Sequence, residues 1–149
     1  MMRMTFAALA IAASAGVALA AVSGADAIKA RRELMKVDGE VTKPLVPMLR
    51  GKAPFDLATV QKALRTYENA AEKEPALFPP DSKTGDTHAL PAIWEDDNLA
   101  DLDARFKKFG EDAKAALASI KDEASFKATM PGVLNNCDGC HEKYHTKQQ

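Results

Sequence analysis

Cysteine is almost absent from this 149-residue chain: there are two, Cys137 and Cys140. Two cysteines cannot build a disulfide framework, and a bridge across so short a gap would be tight and reducible. A structural zinc site needs four ligands, usually two such pairs, and there is no second pair. A thioredoxin-like redox site needs a strand before the motif, and strand-like alternation is nowhere sustained. An excess of one charge is missing too, with 20 Lys and Arg against 21 Asp and Glu for a formal net charge of −1. Such a chain has no electrostatic footprint for nucleic acid and no polybasic patch for a membrane surface. Beyond the N-terminal Ala-rich run there is no internal repeat and no low-complexity segment.

What is present begins with an export pattern. Arg3 is the only charge ahead of an apolar run from Thr5 to Ala20, which ends in the small-x-small triplet Ala18, Leu19, Ala20. The run is too short to span a membrane. Residues 1–20 are therefore expected to be a signal peptide cleaved after Ala20, with the mature protein in the periplasm. Residues 21–149 then suffice for one domain with one core.

Apolar residues in that domain recur at helical spacing. A first helix is expected from about Ala25 to Arg50, with Ile28, Leu34, Met35, Val41, Leu45, Met48 and Leu49 on its inner side. Pro44 and Pro47 should kink or end it, and Gly51 should stop it. Asp56 caps a second helix that buries Leu57, Val60, Leu64, Tyr67 and Ala71. A third begins near Asp97 and carries Leu99, Leu102, Phe106, Phe109, Ala113, Leu117 and Ile120. A fourth starts around Asp122 to Ser125 and carries Phe126, Met130, Val133, Leu134, Cys137, Cys140, His141 and Tyr144. The segment from Glu74 to Asn98 is a long proline-punctuated loop, read as a lid over the open end of the helices.

The two cysteines belong to the run Cys137, Asp138, Gly139, Cys140, His141, the attachment signature of c-type haem. On a helix the positions i, i+3 and i+4 share one face. Two thiols can then reach the two haem vinyl groups while the following imidazole meets the iron. Cys137 and Cys140 are thus covalent attachment points for one haem c, and His141 is an axial iron ligand. No methionine follows His141. His145, one turn further on, lies on the same side, and Met130 shares that helix. Met35 and Met48 remain in the first helix, and spacing alone leaves Met35 open between a ligand and plain core packing. Gly39, costly inside a helix, is easier to understand if a flat macrocycle approaches the backbone there.

On these residues the chain resembles the cytochrome c′ family, the class II cytochromes c. The likeness runs through Arg31, Met35 and Lys36; the turn from Gly51 to Asp56; Leu77, Phe78 and Pro79; Pro91 to Trp94; and the C-terminal motif through Tyr144. It implies an all-α fold, an antiparallel four-helix bundle with covalently bound haem, commonly a homodimer through the first two helices. In the low-spin, c-556-like branch a methionine sixteen residues before the turn glycine closes the iron site, and that position is Met35. High-spin members usually carry an arginine four residues after the haem histidine, where this chain has His145. The resemblance therefore implies an electron carrier, not an enzyme, with His141 and Met35 as axial ligands and redox proteins as partners. The rival is a five-coordinate protein that binds NO or CO. Arg31 is a candidate for a haem propionate contact or a solvated charge on the helix flank.

Overall fold

The computed structural model describes residues 23–146. The expected signal peptide and its cleavage site lie outside the described residues. Five α-helices follow in order, α1 (Gly24–Thr42), α2 (Leu45–Leu49), α3 (Leu57–Lys73), α4 (Asn98–Ser119) and α5 (Glu123–Tyr144). The short α2 extends the arm of α1, so the architecture is an antiparallel four-helix bundle. No helix among the described residues is long and apolar enough to cross a membrane.

Local chemistry sets each boundary. Ser23 caps α1 by accepting from the Asp26 N–H at 3.2 Å. The expected long first helix is in fact broken before Pro44, which lacks an N–H and crowds the carbonyl one turn back. Gly51, at φ 66°, ends α2 in the left-handed region that a side chain disfavours. Asp56 accepts from the Thr59 N–H at 2.8 Å to start α3. Asp122 and Ser125 form a reciprocal capping box at the start of α5, which absorbs Pro131 without ending.

The apolar stripes of α3, α4 and α5 meet in one core of Val60, Leu64, Tyr67, Phe109, Ala113, Phe126, Met130 and Val133. Each large side chain buried there contributes roughly 1.5–3 kcal/mol by leaving water. The Tyr67 and Phe109 rings lie 5.3 Å apart, and the Tyr67 hydroxyl reaches the Thr42 hydroxyl at 2.6 Å to tie α3 to α1. α1 packs on α3, α3 on α4 and α4 on α5, whereas α1 and α5 barely touch. The bundle is closed on three sides and open on the fourth.

Two expectations change. Leu34 and Val41 are only half-buried, and Met35, which lines the gap, is 36% exposed. Leu99 is 38% exposed in the first turn of α4, outside the packed layers. The long loop is also more structured than its prolines suggest. It holds 3-10 turns at Glu74–Leu77, Pro80–Ser82 and Pro91–Trp94, each with proline in its first two positions. Trp94 Nε1 donates to the Phe78 carbonyl at 3.0 Å, and Phe78 packs on Phe106 of α4 at 6.1 Å between ring centroids.

Candidate functional site

Two adjoining cavities, of about 300 and 460 Å³, occupy the open side and share Met35, Phe106, Cys140 and His141 in their walls. Such volumes are typical of small-molecule and cofactor sites. Met35 comes from α1, Phe106 from α4, and Cys140 and His141 from α5. The first cavity is completed by Arg31, Phe78, His88 and Ile93, so the loop forms part of its wall as well as covering the bundle end. The second adds Asp38, Gly39, Thr42 and Cys137. The other two methionines considered as ligands, Met48 and Met130, are buried in the apolar core.

The end of α5 is held by a polar cluster on α4 that the sequence reading missed. Asp101 accepts from Arg105 Nε at 2.7 Å, from the Tyr144 hydroxyl at 2.5 Å and from Lys143 Nζ at 3.1 Å. The Arg105 bond, then those from Tyr144 and Lys143, hold the Asp101 carboxyl well below its ordinary range. Arg105 also donates to the Gly139 carbonyl at 3.0 Å, between the two cysteines. Charge-assisted bonds of this kind fix orientation. In sequence, Asp101 and Arg105 look like any surface pair one turn apart.

Cys137 and Cys140 are free and half-buried, and burial pushes each thiol up to about 11. Neither is a reactive low-pKa thiolate of the dithiol-exchange type. His141 lines both cavities, and its pKa is lowered first by desolvation and then by His145, against the pull of Asp138. The lowering favours the neutral imidazole, the form that ligates a metal. The His145 ring is 5.1 Å from that of His141, and His88 stacks on His145 at 5.3 Å. The loop and the chain end are stitched by two backbone bonds, Leu90 N–H to the Tyr144 carbonyl and Thr146 N–H to that of His88, both at 2.9 Å.

Arg31 is not the solvated charge on the helix flank that was one of its two expected roles, since it is 5% exposed. Nη1 donates to the Leu77 carbonyl at 2.8 Å and to Ser82 Oγ at 2.9 Å. Nη2 donates to the Ser82 carbonyl at 3.0 Å and to Thr87 Oγ1 at 2.7 Å. All four terminal N–H groups are committed to the loop, and the fifth donor, Nε–H, is not among these bonds. The guanidinium also lies over the Phe78 ring, 4.8 Å from its centroid. Arg31 pins the loop onto α1.

The residues around the gap fit a haem. Two thiols and an imidazole project from one face of α5, and the walls between them are mainly apolar. Gly39 opens onto the second cavity, and a Cβ added there would meet nothing within 4 Å. Backbone and sulfur thus border open volume where a flat group can lie.

Comparison with known proteins points the same way. A family model described as Cytochrome C′ matches residues 26–145. Cytochrome c′ of Rhodopseudomonas palustris is 50% identical over 129 residues, which cover 86% of this chain and 87% of that protein. Cytochrome c-556 of Agrobacterium fabrum is 36% identical over 129 residues, covering 86% of each. Among solved structures, cytochrome c′ from Rhodopseudomonas palustris superposes with a TM-score of 0.79 at 50% identity, over 83% of this chain and 98% of that one. A structure of oxidised R. palustris cytochrome c556 superposes with a TM-score of 0.74 at 28% identity, over 84% and 99%.

Proposed function

The chain belongs to the cytochrome c′ family, whose members bind one covalent haem c, and on that footing we propose that it is a periplasmic electron carrier with His141 and Met35 as axial iron ligands. Cys137 and Cys140 would hold the haem through thioethers. When bound, the haem supplies one-electron chemistry, ferric to ferrous and back, and a thioether ligand favours the ferrous state. Residues 1–20 serve as the export signal for this reading, and redox proteins are its partners. A second copy of the chain would pack on the outer face of α1 and α3, where Val37 is 37% exposed.

One observation carries the reading. Met35 lines both cavities together with His141, from the opposite side of the gap, while Met48 and Met130 are enclosed in the core. Leaving an unbranched apolar side chain 36% exposed in a cavity costs burial energy that a ligand role explains. The remaining wall residues orient and exclude: Arg105 and Asp101 fix the end of α5, and the pinned loop keeps Phe78 and Ile93 against the first cavity.

A second reading keeps Met35 as a wall and leaves the iron open to NO or CO. It is favoured by the name cytochrome c′ on the relative at 50% identity, against 36% for the c-556 protein compared above. Optical spectra of the purified holoprotein with and without CO separate the two. A low-spin spectrum, little CO uptake, and conversion to a high-spin, CO-reactive form by Met35→Leu are expected. A wild type that is already high-spin and CO-reactive refutes Met35 as ligand and moves the protein to the gas-binding reading.

A further inference from the structure

Glu74 begins the turn that follows α3 and is 0% exposed, yet neither Oε1 nor Oε2 accepts a hydrogen bond from any described residue. Buried polar groups are almost always satisfied, and an exception calls for an explanation. The charges that reach Glu74 come from α1, namely Arg31 and Asp38, and from α5 the Cys140 thiol is coupled to it. None from α4 or from the rest of the loop does so. Arg31 does not quench it by pairing, since its terminal nitrogens are spent on Leu77, Ser82 and Thr87. Once Cys140 is a thioether, it no longer titrates.

The position of these groups connects Glu74 to the cofactor site. Arg31 lines the first cavity, Asp38 the second and Cys140 both. Glu74 therefore lies behind the wall of the site, within electrostatic reach of three of its lining residues. A carboxyl there is tolerated in its neutral form, and desolvation, helped by Asp38 and opposed by Arg31, pushes its pKa up to about 9. A positive charge gained in the adjoining cavity favours the carboxylate, and losing that charge favours the acid.

We propose that Glu74 is a proton-binding site linked to the redox state of the haem, so that the protein takes up a proton together with its electron. Glu74 gains one proton from solvent, forming one O–H bond, as the iron gains one electron from a reduced partner protein; no other bond is made or broken. Oxidation returns both. This rests on the haem-bearing, electron-carrying reading above.

The test is an equilibrium redox titration of the holoprotein across pH, for the wild type and Glu74→Gln. Between the carboxyl's pKa in the oxidised form and its higher pKa in the reduced form, each pH unit should change the wild-type reduction constant tenfold, about 59 mV for one electron. The potential should fall as pH rises, because reduction binds the proton. Glu74→Gln should flatten that dependence. Redox-difference infrared spectra of the wild type give a readout independent of the variant's folding: a protonated-carboxyl band should grow on reduction. A wild-type potential independent of pH, the same slope in Glu74→Gln, or no such band overturns the proposal while leaving the electron-carrier reading intact. A chain that binds no haem overturns both.

Discussion

The α3–α4–α5 side of the bundle and the α1–α5 side are made from the same kinds of residue, yet one is closed and the other open. Met130 and Met35 measure the difference: the first is 0% exposed among Phe126, Val133 and Tyr67, and the second is 36% exposed beside a void. Both lie on apolar helical stripes, and neither stripe by itself says what stands opposite. On the closed side the facing element is another helix of this chain. On the open side no described residue fills the gap, and Cys137, Cys140, His141 and Met35 border it. An apolar stripe thus reports that a face will be covered, not by what.

The contrast can be broken most completely at the cysteines. Cys137→Ala with Cys140→Ala leaves no thiol in the chain, and the expected outcome is loss of all covalently bound haem, read by mass spectrometry of the purified protein. On the closed side, Met130→Ala should cost about 2–5 kcal/mol, because a packed core relaxes only partly around the missing atoms. Denaturant unfolding of the holoprotein checks it.

Smaller effects sharpen the boundary between the two sides. Arg31→Gln removes the donors that hold Leu77, Ser82 and Thr87, and should lower the free energy of opening the loop by about 1–3 kcal/mol. Hydrogen exchange should show faster amides in residues 78–94 with the α3–α4 core unchanged. Glu74 gives a pH signature. Its folded pKa of about 9 lies above the ordinary 4.5, so its contribution to stability is full at low pH and is lost as pH rises through that interval. At its steepest the loss is about 1.4 kcal/mol per pH unit, and Glu74→Gln should remove it from unfolding curves taken across pH. Met35→Leu should cost less than about 1.5 kcal/mol in unfolding, since little packing surrounds that side chain. Its spectroscopic consequence should be out of proportion to that cost.

Much of the closed side was legible in the sequence. Val60, Leu64, Tyr67, Phe109, Ala113, Phe126 and Val133 are buried as their spacing requires. Gly51, Asp56 and Asp122 act at the boundaries read for them. These signals are local, set by 3.6-residue periodicity and by side chains that cap their own turn. Arg105, Asp101, Asp38 and Glu74 were not legible. Each acts on a residue far along the chain or through burial, and an isolated charged residue on a helix looks the same whether it meets water or a carbonyl on another helix. Arg31 was noticed, but its anchoring of the loop was not legible, because those partners lie 46 to 56 residues away in an irregular segment.

The sequence by itself determined the helices, their caps and the Cys-x-x-Cys-His motif that names the cofactor, since all of these depend on neighbours within a turn or two. Tertiary structure alone decided that α1 and α5 stand apart, that Met35 and His141 border one void, that the loop is pinned by a buried arginine, and that Glu74 is sealed without a partner. Those outcomes depend on how four helices share their faces and on the desolvation of groups brought together from distant positions, neither of which is encoded in any local pattern of residues.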